Sequence, residues 1–192
     1  MIELSGAVGN KMTNINYIPN NFSVYNKSGI SNADMGKLKE ALTDFNKAIE
    51  INPNNAAVFY NRGTIKADLG DYDGARDDFK MAISLQQKSA MEFYLRGIRN
   101  RKAGDYINAI NDYSKAIELN SHFAEAFFNR AEVYSDICEY TKAITDYNKA
   151  IELNPQYSLA FSNRALVKAD LGDYFGAMED MKRAVKISNE RV

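Results

Sequence analysis

The sequence predicts an all-α solenoid of stacked helix pairs, and three features carry that expectation. First, a Gly-Asp-Tyr turn recurs at Gly70-Asp71-Tyr72, Gly104-Asp105-Tyr106 and Gly172-Asp173-Tyr174, at steps of 34 residues or twice that. The same step falls on Cys138-Glu139-Tyr140 and on Gly36-Lys37-Leu38, so one unit is written five times. Second, small residues keep the period, as Gly29, Gly63, Gly97, Ala131, Ala165, as Ala41, Ala75, Ala109, Ala143, Ala177, and as Ala48, Ala82, Ala116, Ala150, Ala184. Third, large residues alternate with them, as Tyr25, Phe59, Phe93, Phe127, Phe161 and as Phe45, Phe79, Tyr113, Tyr147, Met181. Small against large at helical spacing is how packed helices interdigitate. A fixed period of this length marks units that bury their apolar faces only by stacking on neighbours.

The chain in order begins with 1–21, which lies outside the period, carries five asparagines and shows no sustained helical spacing. This stretch reads as a tail, or as a segment whose apolar residues cover a solenoid end. From Phe22 the units run 22–55, 56–89, 90–123, 124–157 and 158–191 without insertion or deletion, as one solenoid domain. Within the second, 56–69 reads as a first helix and 72–85 as a second. Gly70 suits the left-handed end of the first, and Asp71 the N-cap of the second. Asn52-Pro53 and Asn154-Pro155 mark the turn between units, because proline cannot continue a helix but suits its start. The opening helix of the first unit holds Ser23, Asn26, Ser28, Gly29, Ser31 and Asn32, a poor set for helix formation. It is expected to fray unless the tail holds it. After the fifth unit no polar helix follows, so Phe175, Met178, Met181 and Val185 are expected to form an exposed apolar end.

Composition narrows the function. The 192 residues are 45% apolar, with 24 Lys plus Arg against 25 Asp plus Glu, so no global charge draws the chain to nucleic acid or to an anionic membrane. Cys138 is the single cysteine and forms no disulfide within the chain, which suits a reducing compartment. Neither an export leader nor an apolar run long enough for a membrane span is visible. The expectation is a cytoplasmic protein without membrane insertion.

Phe59, Gly63, Leu69-Gly70, Tyr72, Ala75, Phe79 and Ala82 fall in the order and spacing of the tetratricopeptide repeat, which the chain resembles over 22–191. The resemblance implies a right-handed superhelix of antiparallel helix pairs whose first helices line a concave groove for peptides or helices of other proteins.

Two charged columns accompany the repeats. Aspartate recurs at Asp44, Asp78, Asp112, Asp146 and Asp180, and arginine at Arg62, Arg96, Arg130 and Arg164, with Ser28 in the first unit. The missing first arginine suggests that each one pairs with the aspartate of the preceding unit. The expected structural ion pairs are therefore Asp44-Arg62, Asp78-Arg96, Asp112-Arg130 and Asp146-Arg164, with Asp180 left over.

The groove implied by the resemblance supplies the candidate binding residues. An aromatic row at Tyr60, Tyr94 and Phe128 runs beside Asn61, Asn129 and Asn163, whose amides suit an extended backbone. The third unit breaks the row with Met91, Leu95, Ile98, Arg101 and Lys102. An acidic-apolar segment is the expected partner there, read by Arg101 and Lys102. The resemblance also offers a test of one subclass: repeats that clamp the C-terminal carboxylate of chaperones carry lysine in the Tyr60 column, which here reads Asn26, Tyr60, Tyr94, Phe128, Ser162.

Catalysis finds no set of residues. His122, the only histidine, sits in an inter-unit turn; Cys138 replaces a turn glycine beside acidic Asp136 and Glu139; no phosphate-binding loop or metal ligand set appears. The sequence is thus read as a non-enzymatic protein-interaction scaffold without cofactor or metal. A self-assembling protein that stacks through its ends into a homo-oligomer is the alternative, and RNA binding a third reading disfavoured by the charge balance.

Overall fold

The computed structural model describes residues 21–190, all helix and short turn, and the tail, with what is expected of it, lies outside this range apart from Asn21. The chain divides into two compact units, Met1–Phe79 and Lys80–Val192. In the first, α1 (Phe22–Asp34), α2 (Leu38–Ile51), α3 (Ala56–Asp68) and the start of α4 (Tyr72–Lys102) pack together. In the second, the remainder of α4 is followed by α5 (Tyr106–Leu119), α6 (Ala124–Asp136), α7 (Tyr140–Leu153), α8 (Ser158–Asp170) and α9 (Tyr174–Asn189). None of these helices is long and apolar enough to cross a membrane.

The repeated turns behave as their residues dictate. Gly70 adopts φ +84°, and the carboxylates of Asp71, Asp105 and Asp173 accept the backbone N–H three residues on at 2.9, 3.2 and 2.9 Å. Each such bond satisfies an amide that the helix start leaves unpaired. The small columns let the helices close: a Cβ on Gly29 would sit 2.7 Å from the Phe45 ring, and one on Gly97 2.7 Å from the Tyr113 ring. Phe45, Tyr113 and Tyr147 are accordingly buried with Ala41, Ala109 and Ala143.

The opening helix is held by more than its own propensity, and what the tail adds lies outside the described residues. α1 is a regular helix, and two of the polar residues that weaken it are engaged: Ser28 Oγ and Asn32 Nδ2 donate to Asp44 Oδ2 at 2.7 and 2.9 Å. Hydrogen bonds to a charged acceptor outweigh a few tenths of a kcal/mol of unfavourable propensity per residue.

A second difference lies in α4. The expected turn between the second and third repeats is absent, and 31 residues run as one helix. Where the other junctions read Asn52-Pro53, Asn120-Ser121 and Asn154-Pro155, this one reads Gln86-Gln87, with Lys88 next. Nothing in that stretch stops a helix, and glutamine and lysine favour one.

The neighbouring columns depart in the same place. Val58, Ala126 and Ala160 are fully buried, but the equivalent residue of α4 is the exposed Glu92. Ile65, Val133 and Val167 are buried, and their equivalent is the exposed Arg99. Leu42, Ile110 and Ile144 are partly buried, and theirs is the exposed Arg76. Ile83, 55% exposed, resembles Val185 at the last repeat, 54% exposed, more than the partly buried Ile49, Ile117 and Ile151. Charged side chains at stacking positions and the continuous helix are one local departure from the repeat.

Candidate functional site

Each repeat is clasped by its own aspartate. Arg62 donates from Nε and Nη2 to the two oxygens of Asp78 at 2.8 and 2.6 Å. Arg130 holds Asp146 at 2.7 and 2.9 Å, and Arg164 holds Asp180 at 2.8 and 2.5 Å. Arg96 holds Asp112 with the same two-point geometry. The expected pairs Asp44-Arg62, Asp78-Arg96, Asp112-Arg130 and Asp146-Arg164 are therefore corrected: every arginine takes the aspartate of its own repeat, and Asp180 is engaged. The reason is reach. First and second helices of one repeat meet at the small column, where Gly63 lies against the Phe79 ring, and residues 16 apart then face one another.

A further column joins in that the sequence reading missed. Lys66 Nζ lies 3.0 Å from Asp78 Oδ2, Asn100 Nδ2 2.9 Å from Asp112 Oδ2, and Lys168 Nζ 2.9 Å from Asp180 Oδ2. These residues stand one helical turn after the arginines, and the column Asn32, Lys66, Asn100, Tyr134, Lys168, polar in four repeats of five, was the available signal. Burial raises the Asp78 and Asp180 carboxyls, but hydrogen bonds and charge from Arg62 with Lys66, and from Arg164 with Lys168, outweigh it and hold both below the usual value.

The arginines do contact the preceding repeat, through a different atom. Nη1 of Arg62, Arg130 and Arg164 donates to Asn46 Oδ1, Ser114 Oγ and Asn148 Oδ1 at 2.8, 2.8 and 2.6 Å. In that column Arg96 would meet Lys80, which accepts nothing, and its side chain is 54% exposed where Arg62, Arg130 and Arg164 are at most 18% exposed.

The groove candidates separate into four groups. Around α6 two cavities adjoin through shared residues. One, of about 380 Å³, is lined by Ile98, Arg101, Lys102, Tyr106, Tyr113, Asn129 and Asp136. The other, of about 190 Å³, is lined by Arg101, Glu132, Ser135, Asp136, Tyr147, Asn163 and Leu166. Ile98, Arg101, Lys102, Asn129 and Asn163 are thus brought together. Met91 and Leu95 are exposed but line neither cavity. Tyr60 and Asn61 belong to the first compact unit, where the Tyr60 ring packs 5.4 Å from that of Phe79.

Two expected anchors prove to be packing. Phe128 is buried, its ring 5.9 Å from Tyr147 and 4.7 Å from Tyr157. Tyr94 is half-buried between Tyr113 and Phe123, and its hydroxyl accepts from Asn129 Nδ2 at 3.1 Å. The same amide donates to the Glu125 carbonyl at 2.8 Å, so both Asn129 donors are engaged.

Arg101 is also corrected. Its guanidinium lies 2.6 Å from Glu132 Oε2 and 3.1 Å from Asp136 Oδ2, with the side chain 27% exposed. A cation held between two carboxylates does not read an acidic partner. Glu132 and Asp136 were the missing signal, a turn apart on the next first helix. Lys102 makes no ion pair among the described residues. At the floor of the larger cavity the Tyr113 hydroxyl is buried without a hydrogen-bond partner among the described residues, and burial pushes it up to about 12, with Arg101 pulling the other way and Tyr94, Glu132 and Asp112 adding to the rise. His122 and Cys138 are exposed, and no group of three His, Cys, Asp or Glu side chains among the described residues forms a metal site.

Comparison with known proteins bears on the fold. Tetratricopeptide repeat models match 56–89 and 124–157, and a TPR repeat model matches 31–69 and 99–137. The matches leave out 90–98, the part of α4 that carries Glu92. Among solved structures, MamA is similar at 26% identity, covering 85% of this chain and 95% of that one, with a TM-score of 0.53. The second TPR of Spaghetti, solved bound to the HSP90 peptide SRMEEVD, is 31% identical over 55% of this chain and 97% of that one, with a TM-score of 0.54. The TPR2AB domain of yeast Sti1 in its pHSP90 complex shares the fold at 19% identity, 88% and 91% coverage and a TM-score of 0.52. No curated protein matches the chain.

Proposed function

This chain belongs to the tetratricopeptide repeat family, and from that premise we propose that it is a non-catalytic adaptor holding a segment of another protein along the first helices α4, α6 and α8. The observation that carries the reading is the pair of adjoining cavities sharing Arg101 and Asp136. The bound peptide of the Spaghetti repeat supports peptide capture by this fold. It does not extend to that acidic peptide, because the Tyr60 column here holds no lysine.

The partner segment is apolar with basic residues. In the columns of Met91, Ile98, Arg101 and Lys102, Glu125, Glu132, Asp136 and Asp170 stand against only Arg101 and Lys102, leaving excess negative charge once Arg101 is neutralised. Leu159 and Leu166, each 60% exposed, supply the apolar ground. Electrostatic complementarity then selects lysine or arginine on the partner. A cytoplasmic setting belongs to the same reading, supported by the free thiol of Cys138.

Selection from a random peptide library tests it. Peptides with apolar residues flanked by Lys or Arg are expected, with binding lost in Leu166→Glu and weakened at least tenfold in Asp136→Lys. Enrichment of acidic peptides, or binding indifferent to both changes, would overturn the reading.

Stacking of copies through terminal repeats is a second reading. It is supported by the exposed Phe175 and by a cavity of about 590 Å³ lined by Met178, Met181 and Val185 with Lys182 and Lys186. Size growth with concentration that Met181→Lys abolishes would support it; a monomer at every concentration would remove it.

A further inference from the structure

The face of α4 that departs from the repeat carries a charge pattern of its own. Glu92, Leu95 and Arg99 stand at i, i+3 and i+7, on one side of the helix. All three are exposed, and neither Glu92 nor Arg99 has an ion-pair partner among the described residues. Their equivalents in α3, α6 and α8 that are buried are apolar, so here charge has replaced stacking surface at two positions of one stripe. Met91, 45% exposed, borders it.

We propose that this stripe is an interface with a second copy of the chain, two α4 helices pairing antiparallel about a twofold axis beside Leu95, so that Glu92 of each copy meets Arg99 of the other.

The pattern selects that occupant. Glu92 and Arg99 lie equally far from a point between Leu95 and Arg96, so a twofold axis through that point makes the stripe self-complementary and brings each charge onto its opposite. A parallel pair would set Glu92 on Glu92 and Arg99 on Arg99. In the antiparallel register that joins 92 to 99, Lys88 faces Ala103 and Lys102 faces Ser89, so the lysines meet small residues rather than each other. Leu95 then lies against the stem of Arg96, whose side chain is 54% exposed while its guanidinium stays on Asp112.

The other way two copies could use α4 is exchange, with residues 90–102 of one copy stacking on 72–85 of the other as α3 stacks on α2. That arrangement sets Arg96 against Lys80 where Arg62 finds Asn46, and Arg99 against Arg76 where Ile65 finds Leu42. Like charges at both positions disfavour it.

Sedimentation of the full chain over a range of concentrations tests the proposal. A monomer–dimer equilibrium is expected, weakened at least tenfold by Glu92→Arg or by Arg99→Glu and restored when both are combined in one chain. Mixing the two single variants should give a heterodimer tighter than either homodimer, a result that loss of folding cannot mimic. Far-UV circular dichroism checks that each variant keeps its helices. A monomer throughout would overturn the proposal. So would a dimer indifferent to the single reversals, or one lost with Ile83→Glu or Phe175→Glu instead, which would indicate exchange or end stacking.

Discussion

Arg130 closes on Asp146, 16 residues further along the chain, with Nε and Nη2 on separate carboxylate oxygens at 2.7 and 2.9 Å. The aspartate is 5% exposed, so this two-point bond holds a buried charge between the two helices of one repeat. A third arm, Nη1 on Ser114, reaches the repeat before it. One side chain thereby serves both the hairpin and the stack.

Removing that arginine is expected to be costly. Arg130→Met leaves Asp146 buried without its cation, a loss of about 3–5 kcal/mol. Replacing both partners by apolar residues, Arg130→Met with Asp146→Leu, should recover most of it, because no uncompensated charge remains. Urea denaturation of the three proteins checks this. A single variant within about 1 kcal/mol of the parent would show the pair to be no more than a surface contact.

The acid limb of stability follows from Asp78 and Asp180. Both carboxyls sit below their ordinary value of 3.8 in the folded chain. A depressed native value means that the unfolded chain binds the proton first. The stabilisation is complete above the unfolded value and is lost as pH falls through the native one. Unfolding free energy is expected to fall as pH drops through and below the ordinary carboxylate value of 3.8. Asp78→Asn with Asp180→Asn should lower stability at neutral pH and flatten that slope. An unchanged slope would show that other carboxyls dominate.

Much of this was legible because a repeat compares each residue with its own equivalents. Turns, small columns and the Arg and Asp columns were all visible by period alone. Partner choice was not, since the period states that Arg62 and Asp78 recur but not whether 16 or 18 residues of separation brings two columns together; the depth of the Gly63–Phe79 contact decides that. Phe128 was misplaced for a related reason: an aromatic on a helix face reads alike whether it meets solvent or the Tyr157 ring. The departures in α4 were legible and pointed one way. Arg76, Lys80, Glu92 and Arg99 each replace an apolar or neutral residue found in the other inter-repeat junctions, a departure visible column by column in the sequence.

Cys138 offers a separate test of the turn chemistry. It adopts φ +61°, while its equivalents Gly36, Gly70, Gly104 and Gly172 take φ of 72° to 84°. A side chain in the left-handed region costs about 1–2 kcal/mol, and glycine returns part of that through a more flexible unfolded chain. Cys138→Gly should therefore stabilise the protein by about 0.5–1 kcal/mol, with a thermal midpoint raised by a few degrees. A lower midpoint would mean that the 3.6 Å contact from the Tyr140 hydroxyl to Sγ contributes more than the backbone strain costs.

Proline scanning at one column separates the junctions. Pro53, Gln87, Ser121 and Pro155 are equivalent by period. Ser121 follows the C-cap Asn120 of α5 and precedes α6, in a turn whose counterparts already hold proline. Ser121→Pro is expected to be neutral or slightly stabilising, because a compatible proline restricts the unfolded chain. Gln87 lies inside α4, where proline removes the hydrogen bond to residue 83 and its ring clashes with that carbonyl. Gln87→Pro is expected to cost about 3 kcal/mol and to reduce the helical signal in far-UV circular dichroism. If both substitutions were equally harmless, residues 86–89 would be a turn in solution and α4 two helices. Self-pairing through Glu92 and Arg99 would then have to compete with the ordinary stacking of the third repeat on the second.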